Sequence, residues 1–145
     1  MSSAPQKPEP PAQPDPFIGR QIDGRYAVTG VLGRGGMGRV YKAIQAPLDR
    51  VVALKILSPN YDAARDPGFE KRFFLEASVT AKLTHPNTIT LYDYGRTADG
   101  VFYIAMEYLH GRTLSQLLVR NGPFGWKRVI NIAGQIARSL REAHS

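Results

Sequence analysis

Four glycines and one lysine set the chemistry open to this chain. Gly33, Gly35, Gly36 and Gly38 fall between positions 33 and 38, and Lys55 follows seventeen residues after the last of them, at the end of Val52-Ala53-Leu54-Lys55. Glycine lacks a Cβ, reaches positive φ and lets backbone N–H groups come close to an anion. A cation a short way downstream would neutralise the same anion, so the combination points to a bound phosphate. A lone G-x-G-x-x-G pattern also opens dinucleotide-binding folds, but there a helix must follow at once, with the pyrophosphate on its N-terminus. Here the glycines are followed by Arg39-Val40-Tyr41-Lys42-Ala43-Ile44 and, after Pro47, by Arg50–Leu57. Both runs are rich in β-branched and aromatic residues and too short for typical helices. Tyr26–Leu32, ahead of the glycines, reads the same way. The glycines therefore join two strands as a flap; an ordinary glycine-rich hairpin is the alternative until the downstream residues are counted.

The elements around the lysine position it. Alternation along the third run puts Ala53 and Lys55 on one face and Val52, Leu54 and Ile56 on the other. The apolar set should face a core, and the small residue beside a cation suits a ligand face. A lysine at a strand end is otherwise often a solvated edge residue, unless a carboxylate holds the ammonium. Glu76 is the candidate. Asp66-Pro67-Gly68 reads as a helix start, with Asp66 as N-cap and Pro67 at the first helical position. Phe69, Phe73, Glu76, Thr80 and Leu83 then recur in roughly one stripe. Glutamate on a packed stripe is costly unless paired, whereas Glu70 is accounted for by the helix N-terminus. An exposed Lys55–Glu76 pair would contribute about 0–1 kcal/mol, and breaking a shielded one would cost roughly 3–5 kcal/mol.

These residues carry a family resemblance. The segment from Tyr26 to Ser145 resembles the first half of a protein kinase domain, and most closely the bacterial, eukaryotic-like Ser/Thr kinases. Gly33, Gly35, Gly38 and Val40 match G-x-G-x-x-G-x-V, and Val52-Ala53-Leu54-Lys55 matches V-A-I-K with leucine for isoleucine. Glu76 falls where the family places the glutamate of its helix αC. His85-Pro86-Asn87 resembles the turn into the family's fourth strand. Phe102–Leu109 resembles its fifth strand and hinge, with Met106 as gatekeeper. The resemblance implies an α+β fold: a protein-kinase-like N-lobe, with a five-stranded antiparallel sheet and helix αC, and the first helices (αD, αE) of an incomplete C-lobe. It implies ATP as ligand, with the backbone of Glu107 and Leu109 bonding adenine and Leu32, Val40 and Ala53 packing on its ring. Gly33, Gly35, Gly36 and Gly38 would cover the phosphates, and Lys55 would bind them, oriented by Glu76. The partner would be a protein substrate phosphorylated on Ser or Thr.

The rest of the chain fits that plan. Thr113-Leu114-Ser115-Gln116 carries a T-x-x-Q capping box, and Gly122-Pro123 breaks the short helix it starts. From Gly125 onward Val129, Ala133, Ile136, Leu140 and Ala143 recur at spacings of four and three, an amphipathic helix resembling αE. Phe124 and Trp126 read as packing residues. His85, His110 and His144 show no metal-ligand spacing, and no metal residue is assigned. The sequence contains no His-Arg-Asp and no Asp-Phe-Gly triplet. The Mg²⁺ ligands that the family draws from those segments are expected beyond Ser145, and this chain alone is expected to be inactive. The αE stripe, lacking a C-lobe against it, is expected to recruit one or to self-associate.

Composition sets the remaining bounds. Residues 1–20 form a Pro-rich tail expected to be disordered, 26–110 the N-lobe with the ATP-binding loop and hinge, and 111–145 the start of the C-lobe. The tail has no apolar h-region and is not a signal peptide. No run is long and apolar enough to span a membrane, and the absence of cysteine fits a reducing cytoplasm. A net charge of +7 raises the question of nucleic acid, but the basic residues are dispersed, with no dense run. Three readings remain: an ATP-binding part of a kinase, a non-catalytic kinase-like module that works through a partner or binds nucleotide weakly, and, against the dispersed charge, a basic nucleic-acid binder whose affinity would fall steeply with salt.

Overall fold

The computed structural model describes residues 14–35, 38–57 and 66–145. Gly36, and the N-terminal part of the expected tail, lie outside the described residues. The elements are β1 (Gln21–Ile22), β2 (Tyr26–Gly35), β3 (Gly38–Gln45), β4 (Arg50–Leu57), α1 (Phe69–Thr80), β5 (Leu91–Arg96), β6 (Phe102–Glu107), α2 (Leu114–Asn121) and α3 (Trp126–Ala143). The strands form one antiparallel sheet in the order β1-β2-β3-β4-β6-β5. The expected sheet of β2–β6 is present, and the two-residue β1 extends its edge.

Each strand has one apolar face because side chains alternate across a pleated strand. Tyr41, Val52, Leu54, Ile56, Tyr103 and Ala105 all lie on one face and are buried with Ile22, Tyr26 and Val28. The hydroxyls of the two central tyrosines reach carboxylates at its margin. Tyr26 donates to Asp93 (3.0 Å) and Tyr103 to Asp23 (2.6 Å), and Arg25 bridges both carboxylates at 2.8 and 2.6 Å. Burial followed by the Asp93 contact pushes Tyr26 up to about 12. Residues 14–20, expected in the tail, instead turn onto this face, where Phe17 packs against the core.

The opposite face carries α1 at one end, where Leu57, Phe69, Phe73 and Phe102 form a second cluster. Phe73 meets Phe102 edge-on at 5.1 Å. The helix departs from expectation at its start. Its N-cap is Gly68, and Asp66 makes no side-chain cap. The Asp66 carboxylate accepts the Gly68 N–H at 3.2 Å and pairs with Arg72, closing a local turn ahead of the helix. The stripe also differs. The buried residues are Phe69, Phe73 and Ala77, and Glu76, expected in the packed stripe, is exposed at its margin. Four-residue steps from Phe69 lead to Ala77, which displaces Glu76 by one position around the helix.

Helix α2 has the expected capping box. Thr113 Oγ1 accepts the Gln116 N–H at 3.1 Å and Gln116 Oε1 accepts the Thr113 N–H at 2.9 Å. Neither α2 nor α3 buries a residue. Instead, α3 grips the loop before β5 with polar side chains. Glu142 accepts the N–H groups of Thr84 (3.0 Å) and His85 (2.9 Å), Gln135 accepts from Asn87 (3.0 Å), and Ser139 meets Thr88.

Candidate nucleotide-binding site

The face of the sheet opposite the tyrosine core forms the site. Register pairs Val40 with Lys55, Lys55 with Ile104 and Ala53 with Met106, so these side chains share one surface. A cavity of about 650 Å³ opens there, lined by Leu32, Val40, Ala53, Ile89, Met106, Glu107, Tyr108, Leu109 and the segment from His110 to Thr113 with Gln116. Six of the residues expected at an adenine site, Leu32, Val40, Ala53, Met106, Glu107 and Leu109, thus surround one space. Its walls are largely apolar and flat, with Leu32 and Val40 from the flap strands above and the segment after β6 along one side.

Backbone groups along that side differ in availability. The Glu107 N–H donates to the Thr90 carbonyl at 2.9 Å, and its carboxylate accepts the Thr90 N–H at 2.6 Å. That pair fixes the end of β6 against the approach to β5. Leu109 makes no backbone hydrogen bond among the described residues, so its N–H and C=O remain open to a planar ligand with complementary edges. Tyr108 also lines the cavity. Its ring packs edge-on against His110 at 4.7 Å, with the Lys42 ammonium 5.4 Å from its centre.

The flap is the β2–β3 hairpin. Its register pairs Gly33 with Val40, Arg34 with Arg39 and Gly35 with Gly38, with irregularities between Val28 and Gly30 and between Val31 and Gly33. Of the described flap glycines only Gly38 takes positive φ, at +148°. Gly33 and Gly35 are extended within β2, unlike the sequence expectation, because the hairpin ladder runs on to Gly35. A Cβ at Gly33 would meet nothing within 4 Å, leaving that backbone open to an approaching group.

Lys55 lies beyond the adenine-sized space, in an adjoining cavity of about 260 Å³ lined also by Leu57, Phe69, Arg72, Phe73, Glu76 and Ile104. Lys55 is half-buried, and its ammonium makes no ion pair or hydrogen bond among the described residues. Glu76 reaches the same cavity without pairing to it. The Lys55–Glu76 ion pair expected from the sequence is absent among the described residues, because Glu76 stands at the exposed margin of α1. A half-buried cation without a partner favours an anionic ligand. Among the described residues no group of three or more acidic, histidine or cysteine side chains gathers to hold a metal ion, so the residues present form no Mg²⁺ ligand set.

Sequence reasoning missed Ile89, Tyr108, His110, Arg112, Thr113 and Gln116 as cavity residues. They come from loop and cap positions with no periodicity of their own, although Thr113 and Gln116 were visible as a cap. It also missed Asp15, whose side chain is only 4% exposed. Burial raises the Asp15 carboxyl, but hydrogen bonds from Phe17, Tyr41 and Arg39 outweigh it and hold it below its ordinary range.

Comparison with known proteins agrees with this geometry. The model of the protein kinase domain family matches residues 26–145. The chain is 44% identical over 128 residues to the serine/threonine-protein kinase PrkC of Bacillus subtilis, covering 88% of this chain and 19% of that protein. It is 39% identical over 130 residues to the serine/threonine-protein kinase PknD of Mycobacterium tuberculosis, covering 90% of this chain and 19% of that protein. The crystal structure of the M. tuberculosis PknI kinase domain superimposes with a TM-score of 0.74 at 34% identity, over 87% of this chain and 49% of that one. The chain thus spans about a fifth of these curated relatives (19% of each) and about half of the solved kinase domain (49%). No helix among the described residues is long and apolar enough to cross a membrane. With its antiparallel sheet, glycine flap, strand lysine and apolar cavity, this chain belongs to the protein kinase family and is similar to bacterial Ser/Thr kinases.

Proposed function

We propose that this chain is the ATP-binding part of a Ser/Thr protein kinase, which transfers the γ-phosphate of ATP to protein Ser or Thr hydroxyls. The observation that carries this reading is the gathering of Leu32, Val40, Ala53, Met106, Glu107 and Leu109 around one cavity, with Lys55, unpaired among the described residues, in the next. Adenine would lie against the apolar surface made by Leu32, Val40 and Ala53, with Met106 at its inner end. Its edge would meet the backbone of Glu107 and Leu109. The triphosphate would run under the flap glycines Gly33, Gly35, Gly36 and Gly38 toward Lys55, whose ammonium would bind α- and β-phosphate oxygens. Glu76 would orient Lys55 once α1 rotates to bring the two together. Protein kinases use ATP with a divalent metal, which neutralises charge on the phosphates.

Within these 145 residues there is no His-Arg-Asp or Asp-Phe-Gly triplet, so in this proposal the chain alone binds nucleotide weakly and transfers no phosphate. We place it in the cytoplasm, where ATP and protein substrates are available. Titration of the chain with ATP, followed by NMR, tests the reading. Binding in the millimolar range that Lys55→Met weakens about tenfold or more, the value of one charge-assisted contact, is expected. ATP affinity unchanged in Lys55→Met would overturn the assignment of Lys55.

A second reading has its own observation. Leu114, Leu118, Phe124, Val129, Ile132 and Ile136 line an apolar groove of about 420 Å³ between α2 and α3, and Trp126 beside it is 69% exposed. In this reading the chain acts as a non-catalytic module that covers the groove with a C-lobe or a second copy. Sedimentation equilibrium separates the two: association that Ile136→Asp abolishes supports the module, and a concentration-independent monomer removes self-association.

A further inference from the structure

The segment ahead of β2 closes on the back of the glycine hairpin. Asp15 Oδ1 accepts the Phe17 N–H at 3.0 Å and the Tyr41 hydroxyl at 2.9 Å, and Oδ2 accepts from Arg39 at 2.5 Å. The Phe17 ring lies 5.8 Å from the Tyr41 ring. Further along, the Gly19 N–H donates to the Val28 carbonyl at 2.9 Å and the Val28 N–H to the Arg20 carbonyl at 3.0 Å. An Arg20–Asp99 ion pair adds a surface tie to the turn before β6. Residues 15–20 are thereby held as a strap across the outer face of β2 and β3.

The far anchor of that strap is part of the flap. Arg39 directly follows Gly38 and stands opposite Arg34 across the hairpin. Like charges directly opposite one another on antiparallel strands repel and weaken the pairing. The Asp15 carboxylate, shielded from water by Phe17 and Tyr41, supplies the negative charge that offsets this repulsion at the point where the ladder must hold the glycines. Arg39 and Tyr41 face the strap, and Val40, between them, faces the cavity. The strap therefore reaches a nucleotide only through the hairpin backbone.

We propose that Asp15 is a positioning residue for the phosphate flap, latching Arg39 so that Gly33, Gly35 and Gly38 stay registered over the phosphates. The proposal rests on the nucleotide reading above. Its consequence is graded: losing the latch weakens binding of the triphosphate more than binding of the base, because Ala53, Met106 and Leu109 lie off the hairpin and only Leu32 and Val40 of the adenine walls lie on it.

The test compares ATP with adenosine, by NMR titration of the whole chain, for wild type, Asp15→Ala, Arg39→Gln and Arg39→Lys. Arg39 is a surface side chain, so its substitutions keep the fold even where Asp15→Ala does not. Expected is a loss of about tenfold in ATP affinity for Arg39→Gln, the scale of one charge-assisted hydrogen bond, with a clearly smaller loss for adenosine. Amide exchange at Gly33, Arg39 and Val40 should quicken in the same variant, and Arg39→Lys should recover most of both effects. Equal losses for ATP and adenosine, or no loss for either with hairpin exchange unchanged, would overturn the latch while leaving the nucleotide reading intact. A wild-type chain that bound neither ligand would overturn the nucleotide reading, and the positioning role with it.

Discussion

At Gly38 a Cβ would stand 2.2 Å from the carbonyl oxygen of Ile56 on the neighbouring strand, in a backbone with φ +148°. Both the clash and the dihedral exclude an L side chain there. Gly33, two pairs up the same hairpin, has φ in the ordinary range and open space around it. The two glycines of one motif therefore do different work: Gly38 closes the turn against β4, and Gly33 leaves room for a ligand. Gly38→Ala is expected to destabilise the fold by about 1–3 kcal/mol, the cost of a strained backbone position. Gly33→Ala should stay within about 0.5 kcal/mol of wild type. Urea denaturation of both variants checks this; equal losses would contradict it. The motif identified the glycines as a set, but which of them cannot carry a side chain follows from the distance to β4, a strand twelve or more residues away in the chain.

Secondary-structure elements differ in how much of their stability is local. Helix α2 buries no residue, so its reciprocal cap between Thr113 and Gln116 is a large part of what holds its first turn. Thr113→Ala should cost about 1 kcal/mol, visible as faster amide exchange at Gln116 with the sheet unaffected. Helix α1 is the opposite case. Its capping side chain is missing, and it is held by the aromatic cluster of Phe69, Phe73 and Phe102. Phe73→Ala is expected to destabilise by roughly 3–5 kcal/mol, measured by the shift in urea midpoint at constant slope; a loss below about 1 kcal/mol would mean that α1 is not held by this cluster. The strands of the sheet were readable from alternation, and Val52, Leu54 and Ile56 face the core as alternation requires. The stripe of α1 was not, because Glu76 and Ala77 flank the line of Phe73 on either side, about 100° apart around the helix, and only the docking angle on the sheet chooses between them.

For the molecule as a whole, the carboxyls and the tyrosine at the edge of the tyrosine core respond to pH in opposite senses. Asp15 and Asp23 are both held below their ordinary value of 3.8, Asp23 chiefly by the Tyr103 hydroxyl and then by Arg25. A carboxyl depressed on folding contributes stability that is present above its unfolded pKa and is lost as pH falls through the folded one. Stability should therefore decline from about pH 4 downward. Tyr26 is raised from 10.0 to about 12, so its contribution is full below pH 10.0 and is lost as pH rises toward 12. Urea midpoints measured across pH check both limbs, and Tyr103→Phe should make the acid limb shallower, because without its main contact Asp23 returns toward 3.8. Within the chain, local chemistry was enough to settle the strands, the flap, the α2 cap and the family, because motif spacing and alternation are properties of neighbours in sequence. The strap of residues 14–20, the Asp15–Arg39 latch and the separation of Lys55 from Glu76 were settled only by the fold. Each depends on segments 20 or more residues apart meeting at a particular distance, as Asp15 and Arg39 do across 24 positions, and no local pattern encodes such a distance.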